Sequence, residues 1–160
     1  MPQKKILIFG IGNPGRGDDG LGPALIDRLK NSQTGDFQTH AEFGNSACAC
    51  EFRYQLNVED AYAVKDLDIV IFADAATRQE EAAVLEEAFP SDAIAFTTHR
   101  MSPASVLALC HELFGRTPKA YTLSIRGHHW DIGEGLSPQG AENLEQALEM
   151  LKEFLGRQRA

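Results

Sequence analysis

The sequence has no long hydrophobic run, no surplus of basic charge and few cysteines. Its apolar stretches, such as Ile6-Leu7-Ile8-Phe9, fall far short of the roughly 20 residues that a membrane-spanning helix requires, so no membrane partner is expected. Lys4 and Lys5 precede one of these stretches, but it ends in Gly-Asn-Pro-Gly, unlike the longer apolar region of a secretory signal. A cytoplasmic location is expected. Lys and Arg number 15 against 23 Asp and Glu, a net charge of -8, which would repel a phosphate backbone and argues against nucleic acid as a partner. Three cysteines, Cys48, Cys50 and Cys110, are an odd number for a disulfide framework and read as reduced thiols. Cys48-Ala49-Cys50 lacks the CxxC spacing and has no second half nearby, so it reads as semi-buried thiols.

What is present is a core-forming composition. With 160 residues and 43% hydrophobic content, the chain is expected to form one domain over 1–160. Strands are predicted at Lys5 to Phe9, Phe37 to Phe43, Leu67 to Ala73, Ala93 to Thr98 and Lys119 to Arg126. Between them, helices are predicted to open near Pro23, over Leu56 to Val64, and from Ser102-Pro103 to about Phe114. Ser137-Pro138 starts a last helix with Leu144, Leu148, Leu151 and Leu155 on one stripe, which Gly156 is placed to end. The alternation predicts an α/β fold, a mostly parallel twisted sheet of about five strands with helices on both faces.

The densest signal is Gly10-Ile11-Gly12-Asn13-Pro14-Gly15-Arg16-Gly17-Asp18-Asp19-Gly20-Leu21-Gly22, directly after the first strand. Asp18 and Asp19 there, Asp74 after Ile71-Phe72-Ala73, and His99 after Ala95-Phe96-Thr97-Thr98 share one address at strand carboxyl ends. Neighbouring parallel strands bring such ends together at one edge of the sheet. Two carboxylates and an imidazole suit a divalent metal of intermediate softness and leave coordination positions open. Taken singly, each has a plainer role: an acid beside a helix N-terminus, a turn aspartate, a loop histidine. The same glycines, Gly10-x-Gly12-x-x-Gly15, also satisfy a dinucleotide-binding fingerprint, with Glu42 as a ribose acid, although Asp18 and Asp19 would oppose a pyrophosphate. A nucleotide-binding module and a self-contained metallohydrolase therefore stand as alternatives. Ser46 lacks a Gly-x-Ser-x-Gly frame, since Cys48 stands at the second glycine. His128-His129-Trp130-Asp131 either lines a substrate groove or is a solvated loop with Trp130 folded onto the core, and Gly133-Glu134-Gly135 beside it suggests mobility.

The Gly-Asn-Pro-Gly segment resembles the opening of peptidyl-tRNA hydrolases, but Arg16-Gly17-Asp18-Asp19-Gly20 replaces that family's catalytic-histidine segment. Taken together, three segments resemble the hydrogenase maturation proteases, the endopeptidases that trim the large subunit of nickel-iron hydrogenase: Gly10 to Gly22, the strand Ile69 to Ala75 ending in Asp-Ala, and His99 followed by the helix of Val106, Leu107 and Leu109. The resemblance implies removal of a C-terminal extension from a hydrogenase large-subunit precursor after nickel insertion. It assigns the catalytic, metal-contacting set to Asp19, Asp74 and His99, with nickel supplied by the precursor rather than held by the enzyme. Asp18 is left to orient Asp19 or cap the helix. Glu42-Phe43-Gly44-Asn45-Ser46 departs from the family's pattern.

Overall fold

The structure is a computed structural model that describes residues 4–31, 37–38, 48–92 and 101–159. Strands β1 (Ile6–Ile11), β2 (Phe37–Gln38), β3 (Cys48–Arg53), β4 (Ile69–Ala76), β5 (Ala83–Ala88) and β6 (Lys119–Arg126) form one sheet in the order β2-β3-β1-β4-β6-β5. All pairings are parallel except that of β5 with β6. The α/β class expected from the sequence is therefore present. The described residues supply six strands, two of which, β3 and β5, the sequence pattern did not announce. The predicted strand at 93–98, and positions 39–43 of the second one, lie outside the described residues.

Side chains alternate across each strand, so one strand feeds two cores. Ile6 and Ile8 join Leu21, Leu25, Leu144, Leu148 and Leu151 on the face covered by α1 (Leu21–Lys30) and α4 (Pro138–Arg159). Leu7, Phe9 and Ile11 join Val64, Val106 and Leu107 on the opposite face, under α2 (Glu59–Val64) and α3 (Pro103–Phe114). Cys48, Cys50 and Cys110 are all buried and stand as thiols rather than a disulfide framework. Among the described residues no helix is long and apolar enough to cross a membrane.

Local chemistry sets the helix ends. The Ser102 hydroxyl accepts from the Ser105 amide at 3.1 Å, and Pro103 occupies the first turn, where its missing N–H costs nothing. Gly115 ends α3 in the left-handed region at φ 72°. Gly156, by contrast, does not stop α4, which runs on to Arg159. It lacks the positive φ that turns a chain out of a helix, and the burial of Phe154 and Leu155 carries the helix past it.

One glycine fixes the distance between β1 and α1. A Cβ on Gly22 would meet the Ile11 backbone and lie 2.8 Å from the Ala73 carbonyl oxygen, so only glycine lets the helix approach the ends of β1 and β4 this closely. Gly22→Ala is expected to destabilise the fold by about 3 kcal/mol, because the obstacles are backbone atoms that cannot swing aside. Urea unfolding of the two proteins would measure it.

Candidate active site

The chain leaves β1 for β3 and β2 on one side of the sheet and then builds β4, β6 and β5 on the other. The sheet therefore changes direction between β1 and β4, which is where open α/β sheets form a crevice beyond their strand carboxyl ends. Ile11, the last residue of β1, lies in register with Asp74 on β4, which in turn is opposite Ser124 on β6. The turn after β1 brings Asp19 to the same crevice. Asp19 and Asp74 both line a cleft of about 410 Å³ whose other walls include Tyr54, Leu56, Met101 and Pro103. Two carboxylates thus face a partly apolar groove that is open to solvent.

Each carboxylate is oriented by the backbone. Asp19 is half-buried, and its Oδ2 accepts from the Asn13 amide at 2.9 Å. Gly12, at φ 141°, leaves no room for a side chain against the Asp19 carbonyl. Asp74 is exposed, and its Oδ1 accepts from the Ala75 amide at 2.8 Å. Across the cleft, Arg53 fastens the end of β3: its Nε donates to Asp60 at 3.0 Å, its Nη2 to Glu51 at 2.8 Å, and its guanidinium lies 5.0 Å above the Phe9 ring. The Arg53 carbonyl accepts from the Gly12 amide, tying this wall to the glycine turn. Arg53, Asp60, Tyr54 and Leu56 carried no motif in the sequence. Their places follow from β3, whose opening Cys-Ala-Cys-Glu reads poorly as a strand by composition.

Asp18 neither orients Asp19 nor caps α1. It is fully buried, and four donors converge on its carboxylate: the amides of His128 (2.7 Å), His129 (3.1 Å) and Ser137 (2.8 Å) and the Ser137 hydroxyl (2.6 Å). The Ser137 hydroxyl also accepts from the Gly140 amide and so caps α4. Burial alone would raise the Asp18 pKa, but the Ser137 hydroxyl and the three amides outweigh it and hold the carboxyl below its ordinary value. The same seam continues through Gly17 to the Gly133 carbonyl, Asp18 to the His129 carbonyl, and Gly133 to the Gly15 carbonyl. The segment 127–137 is therefore laced onto the turn that presents Asp19, and Gly133 is a point of attachment rather than a free hinge.

These bonds decide what the glycine turn can do. From Gly12 to Asp19 every backbone N–H already has a protein acceptor: the Arg53, Asn13, Gly133, His129 and Arg16 carbonyls or the Asn13 and Asp19 side chains, with Pro14 having none to give. A phosphate loop works by aiming unpaired amides at an anion. This turn has none to aim, and it exposes Asp19 instead. His99 and the segment Glu42 to Ser46 lie outside the described residues, and among those described no three His, Cys, Asp or Glu gather into a metal-binding cluster.

A doubly wound sheet with paired carboxylates at its switch point defines the class of the protein. No protein-family model matches the chain, and no curated protein matches it in sequence. Solved structures match over nearly the whole chain. The hydrogenase maturating endopeptidase HybD from E. coli aligns with a TM-score of 0.66 at 20% identity, covering 96% of this chain and 93% of that one. The NiFe hydrogenase maturation protease HycI from Thermococcus kodakarensis KOD1 gives 0.63 at 25% identity, covering 96% and 94%. A hydrogenase 2 maturation peptidase from Thaumarchaeota archaeon SCGC_AB-539-E09 gives 0.65 at 19% identity, covering 96% and 99%. The chain has the fold of the hydrogenase maturation proteases, in agreement with the resemblance of its three sequence segments.

Proposed function

We propose that this chain is a cytoplasmic endopeptidase that removes the C-terminal extension of a nickel-iron hydrogenase large-subunit precursor once nickel has been inserted. The observation that carries the reading is the pair Asp19 and Asp74, on separate strand ends, lining one open cleft in a fold shared with solved maturation proteases. Two carboxylates are hard, anionic donors and leave several coordination positions to the ligands that the ion brings with it. That chemistry suits recognition of nickel already seated in a substrate. In this reading Asp19 and Asp74 contact the nickel of the precursor and the groove along Tyr54, Leu56 and Met101 receives the adjoining peptide. His99 is the third member of the set; in sequence it stands two positions before Met101. The three buried thiols accord with a reducing compartment.

The saturated amides of the glycine turn weigh against a nucleotide-binding module. The test is direct. Purified protein is mixed with precursor loaded with nickel or free of it, and the mobility of the large subunit is followed on a gel. Cleavage is expected only of the loaded precursor; equal cleavage of both would overturn the reading.

A further inference from the structure

Beyond Asp74 the end of β4 borders a second cavity, of about 480 Å³, between the turn after β4 and the segment after β6. Its walls include Arg78, Arg126, His128 and Trp130, with Glu80 as the one carboxylate. In a chain of net charge -8 this is a local reversal of sign. Arg78 is exposed and has no hydrogen bond or ion pair among the described residues. Arg126 commits Nη1 to the Glu80 carbonyl at 3.0 Å, which fixes the guanidinium in the wall. Trp130 packs against Gly127, where a Cβ would lie 2.7 Å from the indole, and the amides of His128 and His129 are anchored on Asp18. One cationic fork, Arg126, and an aromatic face are thus held in place, and the exposed Arg78 reaches the same cavity from the turn after β4. Guanidinium groups bind carboxylates through paired N–H donors, and an indole packs against the chain that carries them.

The position relative to Asp74 is set by register. Asp74 lies opposite Ser124, and Ala76 opposite Arg126, two residues farther along both strands. That is a separation of about 7 Å on the same face of the sheet, the span of about two residues of extended peptide. We propose that this cavity is a substrate subsite for a carboxylate-bearing stretch of peptide, carried about two residues from the part of the substrate that meets Asp74 and gripped by Arg78 and Arg126. The occupant rests on the proposed endopeptidase function; the subsite itself does not.

Trp130 is the only tryptophan of the chain, so its fluorescence reports on this wall directly. The whole protein would be titrated, without nickel or precursor, with three blocked or free tripeptides. Acetylated triglutamate amide offers side-chain carboxylates only, acetylated triglutamine with a free C-terminus offers the terminal carboxylate only, and acetylated trilysine amide offers neither. A saturable change in Trp130 emission is expected with at least one carboxylate peptide and none with trilysine, and the peptide that responds identifies the source of the carboxylate. Arg78→Gln should weaken that binding about tenfold, the scale of one charge-assisted pair, and Arg78→Lys should restore part of it. In precursor cleavage Arg78→Gln should raise KM and leave kcat unchanged. Silence of Trp130 toward both carboxylate peptides, an equal response to trilysine, or unchanged affinity in Arg78→Gln would overturn the subsite. Because the titration involves no cleavage, it reads the subsite even where the precursor assay fails.

Discussion

Asp18→Asn is expected to cost about 2–4 kcal/mol of folding stability, more than a change of one charged atom on a surface would. The carboxylate is fully buried and receives four donors, three on Oδ2 and one on Oδ1. An asparagine has one acceptor oxygen and one donor NH₂, so whichever way it is flipped an N–H or O–H faces its amide nitrogen. At least one buried donor is left unpaired, and the charge that strengthened the others is gone. There is no slack for the group to move, since a Cβ at Gly140 would lie 2.6 Å from Asp18 Oδ1. Denaturant unfolding measures the loss, and faster amide exchange at His128, His129 and Ser137 would locate it in the seam. A pH dependence follows with a definite sign. The folded-state pKa of Asp18 is lowered from 3.8, so its contribution is complete above that value and is lost as pH falls through the lower folded one. Below about pH 4 the stability difference between wild type and Asp18→Asn should therefore shrink. A difference that stays constant down to acid unfolding would contradict the assignment.

Particular residues show why some of this was legible in the sequence and some was not. Ser102-Pro103 marks the start of α3 because cap and first-turn proline act locally, and Lys119–Arg126 is a strand in both readings because its pattern is strong over eight residues. That Asp19 and Asp74 face one cleft was legible as well, because parallel strands leave their carboxyl ends on one edge whatever the intervening chain does. β5, with the sequence AVLEEA, carries two glutamates and no alternation; it is a strand because the edge of β6 supplies its hydrogen bonds, and only Ala83 of it is buried. β3 is a strand because it is sandwiched between β1 and β2, a tertiary cause that overrides the weak propensity of Cys-Ala-Cys. Asp18 was visible as an acid, but its partners stand 110 to 119 residues away, and no spacing rule reaches that far. Arg78 and Arg126 escaped notice for the same reason, being 48 positions apart in sequence and joined only by the sheet.

Asp19→Asn should behave in the opposite way to its neighbour: the fold should stay intact and processing of nickel-loaded precursor should fall by about a hundredfold or more, since even residues that merely support a metal ligand alter metal affinity by 10- to 100-fold. The asymmetry is visible in the hydrogen bonds. Asp19 is half-buried and accepts one backbone bond, from Asn13 to Oδ2, which the amide oxygen of an asparagine can keep. Its stability should change by less than about 1 kcal/mol, within the range of substitutions that leave no buried donor unpaired. What the substitution removes is the negative charge and one of two oxygen donors facing the cleft that Asp74 shares. An amide nitrogen cannot coordinate a divalent ion, and its N–H groups would repel one. Paired measurements on each variant, urea unfolding and gel-shift processing, would therefore separate two adjacent aspartates by what they fail to do. Full processing by Asp19→Asn would remove it from the nickel-reading set. Loss of folding in that variant would instead show that the turn needs its charge to close, and that the glycine loop's conformation and its presentation of an acid are one property.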